Sequence, residues 1–171
     1  EKKLDISLSN AQKAIELNPK SPLGYLWKAR VHILQWTQLD EAEKLLKQAL
    51  ILHPNFSTAY EWLGVMEQWK WVYSKSIEYF LKSLEVIPND IILMNHEKNS
   101  NIARVNYLLS ISLALWKNKE MAIHHLQQML VFKDDVSLSM FMSEIKKENY
   151  WVFQELKWMK DFEEIVSLLK K

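Results

Sequence analysis

Cysteine is absent from this chain of 171 residues, which excludes disulfides, thiol catalysis and thiolate metal sites. Glycine occurs twice and proline four times. That is too few for the tight turns of a β-sandwich or barrel, so composition alone favours an all-α architecture. Only Arg30 and Arg104 are arginines, and the net charge is +1; neither feature suits a polyanion, so nucleic-acid binding is not expected. Long hydrophobic runs are missing too. The longest, Tyr107 to Trp116, is broken by Ser110 and Ser112 and is about half of what a membrane span needs, so it reads as a buried helix and no membrane insertion is expected. No basic-then-apolar leader follows Glu1, which fits a processed chain or a fragment of a longer array. The compartment stays open, with the cytoplasm favoured.

What is present is half apolar and a quarter charged, the make-up of an ordinary folded domain. The most informative stretch runs from Pro54 to Pro88. Tyr60, Leu63 and Gly64 on one expected helix are answered by Ser76, Phe80 and Ser83 on the next, and Pro88 closes the unit. Gly64, Ser76 and Ser83 are small enough to let two helices approach, while Tyr60, Leu63 and Phe80 fill the space between them. Pro88 lacks an N–H and disfavours helix at the residue before it, so it ends the second helix.

This pattern of an aromatic, Leu-Gly, small, large, small and Pro resembles the tetratricopeptide repeat. Similar markers recur along the chain. Ser7, Ala11 and Ala14 followed by Pro19 match a second helix whose partner is missing. Tyr25 and Ala29 with Ala42, Leu46, Ala49 and Pro54 form a fuller unit, and Ser7 to Ala42 is 35 residues while Ala42 to Ser76 is 34. The next marker, Ala122 with Leu126 and Met129, follows Ser76 by 46 residues. The surplus falls in the polar stretch near Asn89 to Asn101, a loop or an extension of the following helix. The units are therefore a half repeat over 1–20, repeats over 21–54 and 55–88, an insertion over 89–101, a degenerate repeat over 102–134 carrying Leu109, Ser110 and Leu113, and capping helices over 135–171. The resemblance implies a right-handed α-solenoid of about three and a half helix pairs.

Helix ends can be read as well. Asp40 with Glu43 is a capping-box candidate, although Glu41 to Lys44 reads equally as an exposed first turn, and Asp135 could cap a helix running through Lys147. Trp151, Trp158, Phe162, Ile165 and Leu169 are spaced for one face of a helix, or of two short helices, before the terminal Lys170 and Lys171. That segment resembles the capping helix of such arrays, with its apolar side over the last repeat.

The resemblance also implies a function, the holding of another protein. In this family the first helix of each unit lines the concave surface. By helical spacing the residues there that are not used for packing are Leu26, Arg30 and Ile33, then Glu61, Val65 and Gln68, then Tyr107, Ile111 and Ala114. Members that grip a C-terminal carboxylate use Lys, Asn and Arg on these helices, and of that set only Arg30 is present. The expected ligand is an apolar peptide or an amphipathic helix. Trp36, Trp69 and Trp116 fall at or near the ends of successive first helices, with Trp71 close by. Each either closes the turn beneath it or adds to an exposed aromatic ridge, a type of surface enriched at binding hot spots.

No chemistry of catalysis is legible. His124 and His125 are adjacent and point about 100° apart on a helix, so they cannot share a metal as residues four apart can. Asp134–Asp135 and Glu163–Glu164 stand at expected helix starts, where capping accounts for them. No cofactor, metal or enzymatic activity is expected. Self-association through the unpaired first helix, or a targeting role within a larger protein, are the rival expectations.

Overall fold

Small side chains spaced to admit a neighbour, with large ones between them, produce helix pairs throughout. The computed structural model describes residues 2–132, 134–146 and 152–169, and all regular structure among them is helical. The helices are α1 (Lys2–Leu17), α2 (Pro22–Leu34), α3 (Leu39–Leu52), α4 (Ser57–Trp69), α5 (Tyr73–Val86), α6 (Asn95–Leu115), α7 (Lys119–Phe132), α8 (Asp135–Lys146) and α9 (Lys160–Leu169). They pack in sequential antiparallel pairs, α2 on α3, α4 on α5 and α6 on α7, while α1 lies against α2. None of the described helices is long and apolar enough to cross a membrane.

The central pair shows why the spacing matters. A Cβ at Gly64 would stand 2.6 Å from Cε1 of Phe80, whose ring is fully buried. Only glycine lets α4 come this close to α5. The small residues of α5 also bond. Ser83 Oγ donates to the Ser57 carbonyl at 2.9 Å, and Ser76 Oγ meets Ser112 Oγ of α6 at 2.8 Å, so one serine ties the pair internally and the other ties it to the next pair.

Pro88 lies in a single 3₁₀ turn, Ile87–Asn89, and α5 stops at Val86 as the proline demands. The polar insertion is both a loop and a helix extension: after the turn the chain enters α6 at Asn95, giving a helix of 21 residues where α4 has 13. Asp90, in that loop, is buried and folds back onto the start of α4. The backbone N–H and the hydroxyl of Ser57 donate to its Oδ2 at 2.8 and 2.6 Å. A carboxylate over the unsatisfied N–H groups of a helix start is a favourable place for negative charge.

Each first helix ends in the same way. Trp36 (φ 53), Trp71 (φ 64) and Lys117 (φ 64) are left-handed, and the residue after each, Thr37, Val72 or Asn118, donates its N–H to the carbonyl of His32, Glu67 or Leu113. These are Schellman closures built without glycine, and a non-glycine residue in that conformation costs roughly 1–2 kcal/mol.

Three expectations about helix ends need correction. Asp40 caps nothing: the left-handed Gln38 starts α3 at Leu39, so Asp40 already lies in the first turn, and Glu43 pairs with Lys47 at 2.7 Å. The cap of α8 is Asp134 rather than Asp135, with Oδ2 accepting from the Ser137 N–H at 2.8 Å and from its hydroxyl. The C-terminal spacing also misleads. Residues 152–159 run in consecutive turns and α9 begins only at Lys160, so Trp158 leaves the apolar face and is 79% exposed. Trp151, Lys147, Asn149, Lys170 and Lys171 lie outside the described residues.

Phe162 and Ile165 of α9 do bury as expected. They join Phe141 of α8, Phe153 and Leu156 in one core with Leu109, Leu113, Leu126 and Met129 of α6 and α7. The rings of Phe141 and Phe153 meet edge to face at 5.6 Å, a favoured aromatic geometry. A second core, holding Leu26, Ala29, Ala42, Leu46, Phe56 and Leu63, serves the N-terminal pairs, and Trp62 touches both.

Gly64→Val is expected to force α4 from α5 and to lower stability by roughly 1–3 kcal/mol. Thermal denaturation measures it; an unchanged melting temperature would contradict the Gly64–Phe80 contact.

Candidate functional site

The first helices α2, α4 and α6 present two regions of different character. One is a line of charges. The Arg30 guanidinium carbon lies 4.3 Å from the ring centroid of Trp27 and 4.8 Å from that of Trp62, between two π faces. Burial lowers its pKa, and the charge of Glu61 works the other way. Next along, Arg104 Nε and Nη2 donate to Glu61 Oε1 and Oε2 at 2.7 and 2.8 Å, and Nη2 also donates to Asn101 Oδ1. Burial by itself would lower the Arg104 pKa, but the hydrogen bond and charge of Glu61 outweigh it and the net shift is upward. The two parallel bonds form the bidentate fork of a strong charge-assisted pair.

Glu61 is thus taken out of the expected groove. It is 4% exposed and committed to Arg104, and removing one partner of such a pair leaves a buried charge uncompensated. Leu26 and Ile33 are corrected likewise. Both are core residues, because α2 is wrapped by α1, α3 and α4 and its buried arc is wider than one face.

The second region is a cavity of about 620 Å³. Val65, Gln68 and Trp69 of α4 and Tyr107, Leu108, Ile111 and Leu115 of α6 form its floor and sides. Trp36, Trp71 and Tyr73, from the turns after α2 and α4 and the start of α5, stand at one end, and Met140 and Glu144 of α8 with Val152 and Phe153 close another. Of the nine groove residues expected, Val65, Gln68, Tyr107 and Ile111 converge here, joined by Trp69 of the expected aromatic ridge, while Ala114 is buried away from it. Arg30, Glu61, Leu26 and Ile33 do not line it. Tyr107, although on the wall, is itself mostly packed, edge to face with Phe141 at 6.2 Å. Burial raises the pKa of its phenol strongly, and the nearby charge of Glu144 adds to the effect.

The aromatic edge is real over two of the three expected turns. Trp36 and Trp69 stack at a tilt with centroids 6.0 Å apart, half open to solvent, and Trp71 contacts Tyr73 at 6.2 Å. Trp116 does not line the cavity. It precedes the left-handed Lys117, whereas Trp36 and Trp71 are themselves the left-handed residues, so its side chain leaves the helix end differently. Gln68 is fixed in orientation: Nε2 donates to the Leu108 carbonyl at 3.0 Å and to Ser112 Oγ at 2.8 Å, bridging α4 to α6.

Met140, Glu144, Val152 and Phe153 were not expected at the site. Their positions depend on how the C-terminal segment returns, which helical spacing does not encode. Among the described residues no group of three His, Asp or Glu could hold a metal. His124 is exposed and His125 is buried.

The helix pairs resemble two solved structures of MamA, a tetratricopeptide-repeat protein. One matches with a TM-score of 0.58 at 15% identity, over 76% of this chain and 68% of that one. The other matches with a TM-score of 0.58 at 16% identity, over 86% and 67%. This chain has a tetratricopeptide-like fold. No family model matches the sequence, and no curated protein does.

His125 offers a test of the packing behind the cavity. Asn106 Nδ2 donates to the Ile102 carbonyl at 2.8 Å, which turns Oδ1 toward His125 Nδ1 at 2.7 Å and requires that nitrogen to carry the proton. Nε2 is buried without a partner, so the ring is neutral, and burial followed by the charge of His124 lowers its pKa to about 4. The unfolded chain binds this proton near the ordinary value of 6.5. Stability should therefore be fully present above about pH 6.5 and decline as pH falls toward 4. Denaturation midpoints across that window are expected to fall less steeply in His125→Gln; parallel profiles would contradict the assignment.

Proposed function

We propose that this chain is a non-catalytic scaffold that holds a partner protein through an apolar segment seated in the cavity between α4, α6 and α8. The observation that carries this reading is the cavity itself. Its volume of about 620 Å³ falls in the range of ligand-binding clefts, and its walls are mainly aromatic and aliphatic with few polar points. Trp36 and Trp69 stay half open at its mouth. Tryptophan so placed carries a large share of the energy in protein interfaces, because it removes much apolar area from water while losing little rotamer freedom.

The tetratricopeptide-like fold supports the same reading, since such folds generally serve as interaction scaffolds. The Glu61–Arg104 pair and the Trp27–Arg30–Trp62 sandwich then belong to the frame rather than to the ligand. A rigid frame lowers the entropic cost of capture.

Peptides selected on the native chain from a displayed random library are expected to be rich in apolar residues. Titration followed by tryptophan fluorescence should show Trp69→Ala binding them about tenfold more weakly or worse, with helical circular dichroism retained. Equal affinity for native and variant chains would exclude the cavity as the site.

A further inference from the structure

The lining of the cavity also bears on the chemistry of what enters it. Trp36, Trp69, Trp71, Tyr73, Tyr107 and Phe153 contribute aromatic surface to its lining. Aromatic faces carry negative electrostatic potential and attract cations. Two acceptors of the lining, on Gln68 and Glu144, have the same sign. Gln68 has spent its amide hydrogens on Leu108 and Ser112, and its Oε1 has no hydrogen-bond partner among the described residues. Glu144 is half-buried and likewise forms no ion pair or hydrogen bond among them. Among the described residues, no lysine, arginine or histidine lines the cavity.

An anionic ligand would be repelled by such walls. A wholly apolar one would take Glu144 out of water with nothing to replace its hydration, which is unfavourable for a carboxylate. A guanidinium answers both conditions: its plane stacks on aromatic rings while its edge offers paired N–H groups to a carboxylate. The chain already uses this chemistry on its own behalf, holding Arg30 between Trp27 and Trp62. We infer that the partner segment presents an arginine among apolar residues, with the guanidinium against Glu144 and the aromatic wall. The inference rests on the cavity being the partner site.

The test uses two synthetic amphipathic peptides that differ at one position. One has a central arginine flanked by leucines; the other has citrulline there, which keeps the shape and removes the charge. Each is titrated into the native chain and into Glu144→Gln with tryptophan fluorescence as readout. The arginine peptide is expected to bind the native chain about tenfold more tightly than its citrulline counterpart. In Glu144→Gln the two affinities should come within about twofold of each other while circular dichroism is unchanged. Equal affinity of the two peptides for the native chain overturns the inference and leaves the cavity standing as a site if Trp69→Ala weakens both. A preference kept in full by Glu144→Gln overturns the role of the carboxylate. Failure of both peptides to bind defeats the inference together with the reading it rests on.

Discussion

The close approach of α4 to α5 at Gly64 governs much of what surrounds it. With no side chain on Gly64, the Phe80 ring lies directly against the α4 backbone. The pair is then narrow enough for Ser76 to reach Ser112 on α6, and Ser112 in turn receives the amide of Gln68. That short chain of bonds fixes the separation of α4 and α6, and the cavity is the space left between their outer halves. Had the pair been spread by a larger residue, the serine contact from α5 to α6 would be out of reach.

Two electrostatic solutions stand side by side on the first helices. At Glu61 and Arg104 a buried carboxylate and guanidinium satisfy each other, and Arg30 is compensated by aromatic faces. In the cavity the acceptors Glu144 and Gln68 Oε1 have no counterpart among the described residues, and aromatic surface surrounds them. The first arrangement maintains the frame. The second is the kind of incompleteness that a ligand resolves, and it lies where three tryptophans converge.

The pairwise packing was legible because it leaves a local signature. Tyr60, Leu63, Gly64, Ser76, Phe80 and Ser83 lie within one unit, and their sizes alone state which positions touch. The Val65, Gln68 and Ile111 side of the cavity followed from helical spacing on the same helices. Contacts that join distant segments were not legible. Glu61 looked like a groove residue because Arg104, its partner, is 43 positions away on the first helix of the next pair, and helical spacing within α4 does not encode contacts between pairs. Leu26 and Ile33 looked accessible because spacing gives direction but not the number of neighbours around α2. The share of the wall made by Glu144 and Phe153 depends on a return of the chain through turns, where periodicity has no force. The Trp158 error has the same origin: a helical period was read across residues that are not helical.

The claim that the cavity between α4, α6 and α8 receives the partner is tested most directly by tryptophan resonances. The chain would be labelled with 5-fluorotryptophan, assigned by single substitutions, and titrated with a library-selected peptide while fluorine spectra are recorded. The account predicts that Trp36, Trp69 and Trp71 shift on binding while Trp27, Trp62 and Trp116 stay in place. Shifts confined to Trp27 and Trp62, or to Trp116, would contradict it and move the site elsewhere on the molecule.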